Sequence, residues 1–171
     1  DYYNRLRGAG ISSMGTGELY MSNSNITNNH GNHYGGGIYS SGSFIAQQST
    51  FNDNIGIDND WDNGSGGGLL LSGYSDQPIL IDRCLIQNNQ SYHGGGGLSI
   101  ESNFSSFKII NTLITDNELI FESTNGAHGG AGVKSSANSN NSIEIINTTI
   151  SNNRSSSFNG GVLRTGSADL L

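Results

Sequence analysis

The sequence predicts an all-β protein: a single-stranded parallel β-helix, a solenoid of about five to six coils of roughly 30 residues each. Three observations carry the prediction. A motif of an aliphatic or Phe, a variable residue, Asn or Asp, and then Asn recurs as Ile26-Thr27-Asn28-Asn29, Phe51-Asn52-Asp53-Asn54, Ile86-Gln87-Asn88-Asn89, Ile114-Thr115-Asp116-Asn117 and Ile150-Ser151-Asn152-Asn153. A second motif, small residues followed by an aliphatic, alternates with it and places Ile11, Ile38, Leu69, Leu98, Val133 and Val162 at spacings of 27 to 35 residues. Between the motifs lie short alternating runs rather than 3.6-periodic stripes, and the Gly and Asn content disfavours helix.

Each coil opens with a strand. In "PILIDRCLI" (78–86), "FKIINTLI" (107–114) and "SIEIINTTI" (142–150), apolar residues alternate around Leu80, Lys108 and Glu144. The parity then slips by one, because Ile81, Ile109 and Ile145 fall on the opposite parity from Ile86, Ile114 and Ile150. A one-residue slip turns the side chains over unless the strand bends there. The bend falls at Asn23, Gln48, Arg83, Asn111 and Asn147. Asn suits this place because its short polar side chain tolerates the left-handed backbone. One residue on, Ser24, Ser49, Cys84, Thr112 and Thr148 form a column of small corner residues, so Cys84 is expected to be a buried corner residue, the alternative being a reactive thiol. The second strand ends in the Asn turn, and the Gly-Gly-aliphatic motif starts the third. Successive coils of such a stack lie about 4.8 Å apart, so columns of the alignment become contacts. Asn29, Asn54, Asn89, Asn117 and Asn153 are therefore expected to form one ladder.

Composition excludes several alternatives. Of 171 residues 26 are Gly and only 12% are charged, whereas disordered chains carry many charges and few bulky residues. The net charge is −7 and the few basic residues form no stripe, which argues against nucleic acid. No apolar run approaches the roughly 20 residues that span a membrane, so no membrane insertion is expected. The start, "DYYNRLRG", lacks the apolar core of a signal peptide. One Cys provides no internal disulfide framework. Neither end reads as a cap, so residues 1–171 are expected to be a single β-helix segment of a longer solenoid, or a unit that stacks on others.

The paired motifs resemble the GG-aliphatic and FxxN repeats of the chlamydial polymorphic outer-membrane proteins, over nearly the whole chain from Gly8 to Val162. Two departures stand out. Only Phe51 matches the Phe of that pattern, and the aliphatic follows Gly-Gly directly. The resemblance implies a right-handed β-helix in an extracellular or cell-surface fibre or adhesin. The expected partners are other copies or neighbouring coils of a longer surface protein, and glycans. It implies no catalytic residue.

Candidate chemistry sits in the turns. From the Asn-motif aliphatic to the next Gly-Gly aliphatic the distances are 12, 18, 12, 19 and 12 residues, so the second and fourth coils are lengthened at one turn. Insertions on one face of a solenoid often build its binding surface. The first, "IGIDNDWDNGSG" (55–66), holds Asp58, Asp60 and Asp62 at alternate positions, close to a calcium loop. Asn63 stands where the loop's Gly belongs and no bidentate Glu follows, so calcium competes with a plain solvated acidic loop. The second is "ELIFESTNGAHG" (118–129). With "SYHG" (91–94) between them, the expected ligand contacts are Trp61, Tyr92, His93, Glu118, Phe121 and Glu122. The competing expectation is that Trp61 and Phe121 pack as a satellite cluster. His33, His93 and His128 share one column, and His93 and His128, on adjacent coils, are expected either to share a metal or to form a solvent-facing pair.

Seven N-x-S/T sequons occur, at Asn25, Asn63, Asn89, Asn103, Asn140, Asn147 and Asn153. Of these, Asn63, Asn103 and Asn140 lie in turns and are the glycosylation candidates, while Asn89 and Asn153 belong to the ladder. Polysaccharide cleavage needs paired carboxylates, and no Asp or Glu column repeats in adjacent coils within a strand. The expected function is a non-enzymatic structural or adhesin-like segment. The alternative is a polysaccharide-binding or polysaccharide-cleaving domain that uses the face between the insertions.

Overall fold

A computed structural model describes residues 8–32, 34–57, 66–72, 78–101, 106–120, 129–136, 142–156, 163–165 and 169–170. The strands form four parallel sheets, and the chain visits sheets 1 to 4 in turn before starting the next coil. Sheet 1 holds Ile11–Ser13, Ile38–Ser40, Leu69–Ser72, Leu98–Glu101, Val133–Ser135 and Leu163–Thr165. Sheet 2 holds Glu18–Ser22, Ser43–Gln47, Ile79–Asp82, Phe107–Ile110, Ser142–Ile146 and Asp169–Leu170. Sheet 3 holds Asn25–Thr27, Thr50–Asn52, Leu85–Gln87, Leu113–Thr115 and Thr149–Ser151. Sheet 4 holds the two-residue strands His30–Gly31, Ile55–Gly56, Gln90–Ser91, Glu118–Leu119 and Arg154–Ser155. This is a parallel β-helix.

Two expectations need correction. Each coil has four strands, not three. The fourth was illegible because its inward column, Gly31, Gly56, Ser91, Leu119 and Ser155, is mostly small and gives no apolar alternation. In the sixth coil Leu163, not Val162, pairs with Val133. The other registers are those of the alignment: Ile38, Leu69, Leu98 and Val133 form one column, Ile81, Ile109 and Ile145 a second, and Phe51, Ile86, Ile114 and Ile150 a third.

The slip of parity is a bend. Asn23, Gln48, Arg83, Asn111 and Asn147 have φ of 48°, 49°, 52°, 52° and 47°. The third residue of the Asn motif bends the same way, with φ of 57°, 54°, 52°, 56° and 55° at Asn28, Asp53, Asn88, Asp116 and Asn152. Left-handed backbone costs a non-Gly residue about 1–2 kcal/mol, least for Asn and Asp, which accounts for their columns. Gln48 and Arg83 are the departures. The corner column that follows closes the bend with hydroxyls: Ser24 N–H donates to Ser49 Oγ at 3.1 Å, Cys84 N–H to Thr112 Oγ1 at 3.2 Å, and Thr112 N–H to Thr148 Oγ1 at 3.3 Å.

The core is one continuous stack. Ile38, Phe44, Phe51, Leu69, Ile79, Ile81, Ile86, Leu98, Ile109, Ile114 and Val133 are fully buried. Each such side chain contributes about 1.5–3 kcal/mol of transfer free energy. Their column mates Ile11, Leu19 and Ile26 in the first coil and Ile145 and Ile150 in the fifth are only partly buried.

The two motifs support each other in space. Asn54, Asn89 and Asn117 are fully buried and Asn153 nearly so. Asn54 donates from its backbone N–H and from Nδ2 to Oδ1 of Asn89, both at 3.0 Å. Asn89 does the same to Asn117 at 3.0 and 2.9 Å, and Asn117 to Asn153 at 3.0 and 2.9 Å. Asn29 begins the series on Asn54 at 3.1 and 2.9 Å. The second Nδ2 hydrogen of Asn54, Asn89, Asn117 and Asn153 goes back one coil, to the carbonyls of Ile26, Phe51, Ile86 and Ile114 at 2.9–3.0 Å. Each interior carboxamide thus makes four hydrogen bonds, which is what its burial requires. The Gly-Gly motif lies directly over this ladder. A Cβ on Gly68 would sit 2.6 Å from the Gly97 carbonyl and 3.0 Å from the Asn89 carboxamide, so a side chain there would displace the rung.

Candidate functional site

Outside the core, the alternate residues of each strand point to the outer surface. On sheet 2 the outward columns are Tyr20, Ile45, Leu80, Lys108, Glu144 and Ser22, Gln47, Asp82, Ile110, Ile146. Lys108 and Glu144 stand on adjacent coils and pair at 3.0 Å. Tyr20, Leu113 and Ile146 are exposed apolar residues on sheets 2 and 3, each with an apolar neighbour in register on the adjacent coil, Ile45, Leu85 and Ile110. The outward side of sheet 1 differs: Tyr39, Leu70 and Ser99 are buried there. The Lys134 ammonium reaches Glu101 at 3.5 Å over that side, with both side chains largely buried.

Of the expected ligand contacts, Tyr92, His93 and Glu118 lie among the described residues. Trp61, Phe121 and Glu122 lie outside them, as do the calcium candidates Asp58, Asp60 and Asp62, the glycosylation candidates Asn63, Asn103 and Asn140, and His33 and His128. Glu118 belongs to sheet 4 rather than to an inserted loop, in register with Gln90 and Arg154. Its Oε1 accepts from Arg154 Nη2 at 2.8 Å and Nε at 3.2 Å, and its Oε2 accepts from Gln90 Nε2 at 3.3 Å. Tyr92 and His93 follow the sheet-4 strand of the preceding coil. His93 is 6% exposed, so it is not the solvent-facing rung that its column suggested. Ser91 Oγ donates to the Gly94 carbonyl at 3.2 Å and closes this short turn.

Sequence reasoning missed Arg154, although the column that holds Glu118 pointed to it. Asp116, Asn117, Glu118, Asn152 and Arg154 line an open polar cleft between the fourth and fifth coils. Its chemistry is hydrogen bonding by carboxylate, carboxamide and guanidinium, with the Glu118 and Arg154 charges paired to each other and the Asp116 carboxylate accepting from Thr115 Oγ1. Along the second left-handed column the order is Asn28, Asp53, Asn88, Asp116, Asn152, so an Asn separates the two carboxylates. Adjacent Asp residues one coil apart would repel by about 1–3 kcal/mol. Among the described residues no group of three or more His, Cys, Asp or Glu is placed to hold a metal ion. No helix among them is long and apolar enough to cross a membrane.

Cys84 is 5% exposed, and its thiol contacts the carbonyls of Asp82 at 3.3 Å and Ala46 at 3.5 Å. Burial pushes the thiol above its ordinary pKa, partly offset by its hydrogen bonds to backbone groups at Ser49 and Asp82. A reactive cysteine needs the opposite, a stabilised thiolate. Among the sequons, Asn89 and Asn153 are buried in the ladder, while Asn25 and Asn147 are exposed.

No protein family, curated protein or solved structure matches the chain.

Proposed function

We propose that the chain is a non-enzymatic structural segment of an extracellular or cell-surface protein, a rigid β-helical rod of fibre or adhesin type. Its partners on this reading are neighbouring coils or further copies. The observation that carries it is the coil-to-coil regularity of the stack. From Asn29 to Asn153 each Asn donates to the Asn of the next coil in the same way, so each coil's stabilisation comes from its immediate neighbours and a rod can be lengthened unit by unit. The resemblance to chlamydial surface-protein repeats supports the same reading.

The test has two arms. An epitope inserted beside Gly17, where an added side chain would meet no atom within 4 Å, should be detected by antibody on intact cells of the source. Detection only after permeabilisation rejects surface display. The purified chain is then presented to glycan arrays. Saturable binding that Tyr92→Ala or Glu118→Gln abolishes would replace the structural reading with the glycan-binding one.

A further inference from the structure

We draw no further inference here: the strongest candidate, the outer edge of the first coil, where Oδ1 of Asn29 accepts no hydrogen bond among the described residues, belongs to the stacking already proposed, and nothing in the structure shows what covers it.

Discussion

Replacing Asn89 by Ala should destabilise the protein far more than the same change at Asn29. Asn89 is fully buried and makes four side-chain hydrogen bonds, two accepted from Asn54 and two donated, to Asn117 and to the Phe51 carbonyl. Truncation leaves the Asn54 backbone N–H without its acceptor and strips one partner each from Asn54 Nδ2, Asn117 Oδ1 and the Phe51 carbonyl. An orphaned buried group costs about 1–3 kcal/mol, and with one fully orphaned donor and three weakened groups the expected loss is about 3–6 kcal/mol. That is a large part of the roughly 5–15 kcal/mol that holds a domain together. Asn29 is partly exposed, and among the described residues its side chain donates only to Asn54 and to the Thr27 carbonyl. Water can replace those bonds, so Asn29→Ala should cost about 0.5–1.5 kcal/mol. Urea unfolding of both variants, with the slope compared to the parent, measures the difference. Hydrogen exchange at the Asn54 amide reports whether the rung itself has opened. Equal losses for the two variants, within about 0.5 kcal/mol, would refute the claim that satisfied burial, rather than the mere presence of Asn, makes the ladder stabilising.

Leu98 is fully buried between Leu69 and Val133, so Leu98→Asp should cost several kcal/mol and lower the melting temperature sharply; an unchanged thermal transition would put Leu98 on the surface. Gly68→Ala should cost about 1–3 kcal/mol by overpacking the Asn89 rung, whereas Gly17→Ala, with nothing within 4 Å, should be close to neutral; matched denaturation curves decide. The Cys84 thiol should resist Ellman's reagent in the native protein and react on unfolding; rapid native labelling would count against a buried corner. Its raised pKa gives a stability term that is full below the ordinary thiol range and is lost as pH rises through the folded value, so Cys84→Ser should flatten the alkaline fall in stability. Glu118→Gln removes an ion pair whose Arg154 side chain is 76% exposed, so its effect should stay below about 1 kcal/mol and shrink further in salt.

Much of the fold is legible because a parallel stack turns sequence columns into contacts. The Ile86, Ile114 and Ile150 column, the ladder and the left-handed bends at Asn111 and Asn147 can all be read by aligning the chain with itself. The sheet-4 strands escaped this reading because two residues facing a small inward column carry no hydrophobic signal. Val162 was mistaken for Leu163 because two neighbouring aliphatics after Gly-Gly satisfy the same pattern, and only strand pairing chooses between them. The candidate site was less legible. The alignment put Glu118 into an insertion, while pairing with Gln90 and Arg154 holds it on a strand.

By itself, then, the sequence determined the repeat, its register over five coils, and the residue types at each corner, because each depends on neighbours one coil away in an identical environment. Only the tertiary structure decided how many sheets close the coil, which partner neutralises Glu118, and that His93 is buried. Those depend on where the chain packs across the coil and over its outer face, and the repeat does not encode that.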